Sequence, residues 1–304
     1  MPAHSLERSR RLAGLARLTR GTEHLLFTLT LTLMGANLAL ARGPAALDVR
    51  IAAILLANIL AVTFAFMVND IEDAGDDAAD PARAARNAIA RGDLTRCEGW
   101  CAAWVAGGLA LALYALTPPF ACGTGVLTLL LGLLYSWRPV RLKAMPVLDM
   151  LAHVLMLSAL LFLAGFFTYD SSPGGAWWAA AGVALVSAYG QLYNQLRDFD
   201  LDRAAGLRNS AALLGRAWTW RLMYVALALA LACLALTVAR GLWPAWLAIV
   251  LVLLVPVVVW RRSGQDMRGT AALDISGRYQ AGFMLAAALT MIVWLGALAL
   301  DALG

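Results

Sequence analysis

Apolar positions in this chain come in long unbroken runs, not in alternating or one-faced stripes. Nine such runs cover about residues 22–41, 48–69, 98–117, 119–136, 146–168, 174–196, 217–239, 242–260 and 280–302. A helix that crosses a bilayer needs roughly 20 mostly apolar residues. Only helices and closed barrels satisfy their backbone inside lipid, and these runs lack the alternation of barrel strands. The pattern therefore predicts an all-α, polytopic membrane protein of about nine transmembrane helices, forming one domain over 1–304. Most connections are short, but polar stretches over about 70–97 and 197–216 are long. Residues 1–20, with Arg spaced among Leu and Ala in "RSRRLAGLARLTR", predict a basic amphipathic helix lying on the membrane surface.

Composition agrees: 62% of residues are hydrophobic and 14% charged, with mean hydropathy +0.72. The net charge of +5 is distributed by side. With a cytoplasmic N-terminus, only Arg42, Arg50 and Arg240 of the 24 Lys and Arg residues fall outside the cytoplasmic loops. That asymmetry orients the chain and places the C-terminus outside. The expected location is a bacterial inner membrane, with the basic surface turned to anionic lipid. No nucleic-acid motif accompanies the charge. The four cysteines are scattered, and Cys97 and Cys101 have no His nearby, so they read as packing residues and not as zinc ligands.

Both long connections open on acids. "VNDIEDAGDDAADP" carries Asp70, Glu72, Asp73, Asp76, Asp77 and Asp80, and "NQLRDFDLD" ends at Asp202. Asn69, Asp73 and Asp77 stand at i, i+4 and i+8, as do Asn194, Asp198 and Asp202. At about 100° per residue, each set falls on one quarter of a helix. The echo points to duplication of a four-helix unit, about 22–136 and 146–260, followed by a ninth helix at 280–302. Two carboxylate faces at one membrane boundary require cations between them. Oxygen ligands without His or Cys favour a hard ion, and magnesium prefers a few carboxylates plus substrate phosphate. An EF-hand loop starting at Asp70 fails, because Ala74 and Pro81 occupy ligand positions. An ion pathway would place its acids nearer the midplane. Arg86, Arg91, Arg138, Arg141, Lys143, Arg203 and Arg208 share the same connections and are suited to phosphate. Arg141 and Lys143, after "YSWRP", lie closest to the membrane.

These motifs together resemble the UbiA-type intramembrane prenyltransferases. Asn69, Asp70, Asp73 and Asp77 match that family's NDxxDxxxD, and Asp198 and Asp202 match its DxxxD. "DRAAGLRN", "RNAIARG" and the segment from Tyr135 to Lys143 are also similar to it. The resemblance implies helices around a central cavity capped by cytoplasmic loops. It implies Mg2+ held by Asn69, Asp70, Asp73, Asp77, Asp198 and Asp202, with Asp73, Asp198 and Tyr135 catalytic. Arg20, Arg86, Arg138, Arg141, Lys143, Asn194, Arg203 and Arg208 are the expected substrate-binding residues. "RLTRGTEHLL" around Arg20 lacks an Arg-Pro pair found before the first span in members that act on aromatic acids, which argues against a hydroxybenzoate-like acceptor.

The implied reaction transfers a prenyl group from an allylic prenyl diphosphate to a hydrophobic acceptor (a quinone precursor, a lipid or a related compound) and releases diphosphate. Tyr135, Phe64 and Phe66 are candidates to face the allylic cation. Asp149 and His153 either help bind the acceptor or form a buried pair. Alternatives on the same scaffold are a terpene cyclase and a polyprenyl-phosphate phosphoribosyltransferase. A lipid transporter is the non-enzymatic one.

Overall fold

The computed structural model describes residues 3–204, 206–247, 249–250 and 273–302, with side chains from residue 7 and, in the last helix, from residue 284. Every regular element among the described residues is helical. In chain order they are α1 (Ala3–Leu18), α2 (Gly21–Leu40), α3 (Arg50–Asp77), α4 (Pro81–Arg86), α5 (Arg96–Tyr114) and α6 (Pro119–Ser136). Then follow α7 (Leu148–Phe167), α8 (Ala176–Arg197), α9 (Phe199–Ala204), α10 (Ser210–Ala239) and α11 (Leu273–Asp301). Seven helical segments among the described residues are long and apolar enough to cross a membrane, with α1 and α2 counted as one. The 22-residue α8 is long enough but more polar, since Gln191, Asn194 and Gln195 fill its last turns. The expected span at 242–260 lies largely outside the described residues, so the count of about nine is approximate.

Lipid supplies little hydrophobic force between helices, so close backbone approach and hydrogen bonds hold them. The crossing of α2 and α7 shows the first device. A Cβ on Gly35 would lie 1.9 Å from the Phe162 carbonyl oxygen, and one on Gly165 would lie 2.1 Å from that of Thr32. Only glycine at both positions lets the two backbones touch. Asn58 shows the second. Its Nδ2 donates to Thr32 Oγ1 at 2.8 Å and to the Leu161 carbonyl at 3.1 Å, and its Oδ1 accepts from Tyr114 at 2.6 Å. One buried amide thereby ties α2, α3, α5 and α7. Asn37 joins α2 to α11 through the Met291 carbonyl at 2.9 Å.

Residues 155–159 of α7 form a π-turn. Ser158, within it, donates to the Val183 carbonyl of α8 at 2.8 Å. The tips are set by local chemistry. Asp80 caps α4 by accepting from the Ala82 and Arg83 amides, with Pro81 behind it. Thr95 and Glu98 form a reciprocal capping box at the start of α5. The N-terminal helix is held by ion pairs. Arg10 and Arg17 reach Asp93 at 3.2 and 2.5 Å, and Arg11 reaches Glu98 at 2.9 Å, so α1 docks on the 87–98 loop.

Candidate active site

Among the described residues, three that are not glycine have positive φ: Arg20 and Arg141, in the left-handed helical region, and Val147. Such conformations cost about 1–3 kcal/mol each and gather where function over-determines them. Arg20 and Arg141 both extend their guanidinium groups to the acids at the end of α3. Arg20 meets Asp70 at 3.1 Å and Glu23 at 2.5 Å. Arg141 meets Asp76 at 2.8 Å and lies 3.5 Å from Asp73 Oδ1.

The centre of the first cluster is Asn69, Asp73 and Lys143. The Lys143 ammonium donates to Asp73 Oδ2, and to Asn69 Oδ1 at 3.2 Å. Ser136 donates to the same Asn69 oxygen at 2.8 Å. Lys143 is buried; desolvation lowers its pKa from the usual lysine value, and the Asp73 charge opposes that fall. Asp73 Oδ1 is buried without a hydrogen bond, Arg141 being too distant to donate one. That orphaned carboxylate oxygen is a hard donor of the kind a divalent cation takes, with Lys143 and Arg141 as its cationic neighbours. Among the described residues no three Asp, Glu, His or Cys side chains converge on one point. The carboxylates of the two motifs lie on separate segments, the end of α3 and the α8–α9 break.

The second cluster sits at a break. Asp198 has φ −90° and ψ 7°, between α8 and α9. Asp198 N still bonds the Asn194 carbonyl at 3.0 Å, and Asp202 N that of Asp198 at 2.8 Å. The four-residue spacing therefore survives the interruption. Arg197 clasps Asp198 through two bonds, at 2.9 and 2.7 Å. Burial, then the adjacent Asp198 charge, pushes the Asp202 carboxyl above its ordinary pKa. Asp200 turns outward to Arg216. Tyr135 lies within the field of Asp73, Asp149 and Asp202, and its hydroxyl accepts from Gln191 at 3.1 Å.

The expected residues are thus divided. Asn69, Asp73, Arg141, Lys143 and, nearby, Tyr135 come together. Asp70 is drawn to Arg20, and Arg86 bonds Glu23 at 3.2 Å. Arg138 serves Glu72 and Asp76. Arg203 and Arg208 are exposed, and no contact among the described residues carries them to either cluster. Phe64 packs on Trp104 and Gly107, away from the acids, while Phe66 stacks on His24 beneath the Arg20 guanidinium. Asp149 is fully buried but does not pair with His153. It accepts from the Ser210 amide at 2.7 Å, the Ser210 hydroxyl at 2.5 Å and Gln195 Nε2 at 2.7 Å, joining α7, α8 and α10.

Sequence reasoning missed Arg83, Asn87 and Asn209. Arg83 lies 3.7 Å from Asp202 and within electrostatic reach of Asp77, so it stands between the clusters. Asn87 Nδ2 donates to Asp77 at 2.8 Å, and Asn209 Nδ2 to Asp202 at 3.0 Å. Each Asn also caps the backbone that follows it. The signal was present: both loops contain an Arg-Asn pair downstream of the motif, and in each the Asn returns to the last Asp of the i, i+4, i+8 set.

The chain matches the UbiA prenyltransferase family over residues 28–274. It belongs to that family. Its fold is that of a UbiA homolog from Archaeoglobus fulgidus bound to DMAPP and Mg2+, with TM-score 0.72, 19% identity and coverage of 94% of this chain and 98% of that one. The apo UbiA homolog from Aeropyrum pernix K1 is also similar, with TM-score 0.69, 24% identity and coverage of 89% and 98%. A lycopene elongase/hydratase from Haloferax volcanii is 32% identical over 174 residues, which is 54% of this chain and 55% of that protein. The chain thus spans about half the length of that curated relative. As a UbiA-family protein with these helices, it is an integral membrane protein.

Proposed function

We propose that this protein transfers a prenyl group from a short allylic diphosphate to an extended apolar acceptor of the lycopene class. The observation that carries the first half is the junction of Asp73, Asn69, Lys143 and Arg141, where an unsatisfied carboxylate oxygen adjoins two cationic side chains. Asn69, Asp73 and Asp77, with Asp198 and Asp202, would hold magnesium. When bound, the metal supplies positive charge against the departing diphosphate. Lys143 and Arg141 bind the phosphate oxygens and hold that end of the substrate at the membrane boundary. The bundle excludes water, and the Tyr135 ring faces the allylic carbon as positive charge develops.

Two observations support an apolar acceptor. The Haloferax volcanii relative is named for lycopene. The two side chains placed directly against Tyr135, Gln191 by a hydrogen bond and His153 by ring contact, are an amide and an imidazole, not a Lys or Arg that would pair an acceptor carboxylate. The two Asn–Asp bonds support reading 1–304 as one domain with two related halves. The Arg asymmetry supports a cytoplasmic N-terminus and a cytoplasmic site. In intact cells, an impermeant thiol reagent should then reach Cys122 and spare Cys97; the reverse would invert the topology.

The deciding experiment incubates purified protein with lycopene, dimethylallyl diphosphate and Mg2+, and follows product by mass spectrometry. Binding of a non-hydrolysable dimethylallyl thiodiphosphate is measured in parallel, with and without EDTA. Alkylated polyene and chelator-sensitive binding are expected. Affinity unchanged in EDTA would refute the metal-bridged site.

A further inference from the structure

Alkylation of a double bond leaves a cation on the acceptor, and something must remove a proton to end the reaction. The acids of the two clusters are poorly placed for this. They lie on the diphosphate side, engaged by Lys143, Arg141, Arg197, Asn87 and Asn209. A terminal base should instead be neutral, lie on the acceptor side and have a free lone pair.

His153 offers such a lone pair beside Tyr135, the ring that faces the allylic carbon in the proposed function. It stands one helical turn beyond Asp149 on the same face of α7, and the Asp149 bonds to Ser210 and Gln195 fix that turn. Its ring centroid is 6.2 Å from that of Tyr135, at an interplanar angle of 54°. It is half-buried, and no hydrogen bond or ion pair reaches either ring nitrogen among the described residues. His24, by contrast, is buried and bonded to the Thr19 carbonyl and to Thr63. The π-turn at 155–159 begins two residues after His153. Such turns are frequent at functional sites.

We propose that His153 is the proton acceptor that terminates prenyl transfer, an assignment that rests on the reading under Proposed function. The C1–O bond of the allylic diphosphate breaks, and its electron pair leaves with the diphosphate. A π bond of the acceptor attacks C1, leaving a tertiary cation beside the new C–C bond. Neutral His153 takes a proton from the carbon next to that cation, and the released C–H pair restores the double bond. The imidazolium then returns its proton to water on product release. Tyr135 stabilises the cation with its ring while its hydroxyl stays occupied by Gln191.

The test uses the full chain in lipid-detergent micelles with lycopene and dimethylallyl diphosphate. It compares wild type, His153→Phe, His153→Gln and His153→Ala with and without added imidazole. Alkene product should fall about 100-fold in the Phe and Gln variants, the usual worth of a positioned base. Thiodiphosphate affinity should stay unchanged, and water-quenched alcohol should rise relative to alkene. Imidazole should restore alkene formation to His153→Ala, which a packing role would not allow. Variants that keep the wild-type rate and the wild-type alkene-to-alcohol ratio would overturn the assignment while leaving the transferase reading intact. So would loss of thiodiphosphate binding in every variant. A wild-type protein that binds the thiodiphosphate but never alkylates lycopene would overturn both readings.

Discussion

The two acidic clusters look alike in sequence and are held in different ways. The first lies on one continuous 28-residue helix, and its partners come from far away. Asp73 is engaged by Lys143, 70 residues on, and Asp70 by Arg20, 50 residues back. The second lies across a helix break and is fastened by neighbours: Asp198 by Arg197, Asp200 by Arg216 and Asp202 by Asn209. Among the described residues, Arg83 reaches across to it from the first half. The first cluster is therefore set by tertiary structure before any ligand arrives. The second is carried on a segment that holds its own charges, and in the proposed function it meets the first through a shared ligand.

The largest expected effect tests that sharing. Asp73→Ala and Asp198→Ala should each lower turnover by roughly 100-fold or more, since each removes charge-organising groups that the other half cannot replace. A surviving rate in either variant, measured as diphosphate release, would show that one cluster suffices. Next comes the Lys143→Ala, Arg141→Ala pair. Charged hydrogen bonds are worth about 1.5–3 kcal/mol each, so thiodiphosphate affinity should fall at least tenfold, with little change for an uncharged prenyl alcohol.

The matched asparagines sharpen the contrast. Asn87 Nδ2 donates to both Asp77 and the Asp70 carbonyl, whereas Asn209 Nδ2 donates to Asp202. Asn87→Ala should therefore cost about 1–3 kcal/mol in unfolding stability, and Asn209→Ala about 1 kcal/mol. Equal losses in denaturant titrations would erase the distinction between the halves. Asp200→Ala comes lower, because an exposed pair is worth about 0–1 kcal/mol and Asp200 faces away from the site. Its turnover should stay within about twofold of wild type; a loss like that of Asp198→Ala would mean that Asp200 turns inward.

The smallest effect concerns the docking of α1. Burial pushes the Asp93 carboxyl up, but hydrogen bonds from Arg91 and Arg10 outweigh it, and the folded value lies below the usual one. A depressed acid contributes stability that is fully present above its unfolded pKa, near 4, and lost as pH falls through the lower folded value. Limited proteolysis of α1 should accordingly be flat from pH 7 to about 5 and rise only under stronger acid. In Asp93→Asn that acid-dependent rise should shrink to the part carried by the Arg11–Glu98 pair, with α1 more open at every pH.

Much of the site was legible in the chain. Asn69, Asp73, Arg141 and Lys143 were marked by spacing and by their place beside apolar runs, and the structure joins them. Arg138, Arg203 and Arg208 carried the same mark and serve other partners or solvent. A positive charge in a cytoplasmic loop is required by topology whether or not it binds phosphate, so charge alone could not separate them. Asp149 and His153, four residues apart, read either as acceptor-binding residues or as a buried pair, and the pair does not form, because Asp149 turns to Ser210 and Gln195 on α10 and α8.

The sequence by itself determined what each segment is: which runs enter the membrane, where the chain returns to water, and which faces carry oxygen or guanidinium. Hydropathy and helical period act within one element, so one element's residues suffice to read them. Tertiary structure alone decided which face meets which. The contact of Gly35 with Phe162, the four-helix knot at Asn58 and the selection of Lys143 for Asp73 depend on how helices cross and rotate against one another. Those angles are set by close packing summed over every interface, and no short stretch of sequence contains that sum.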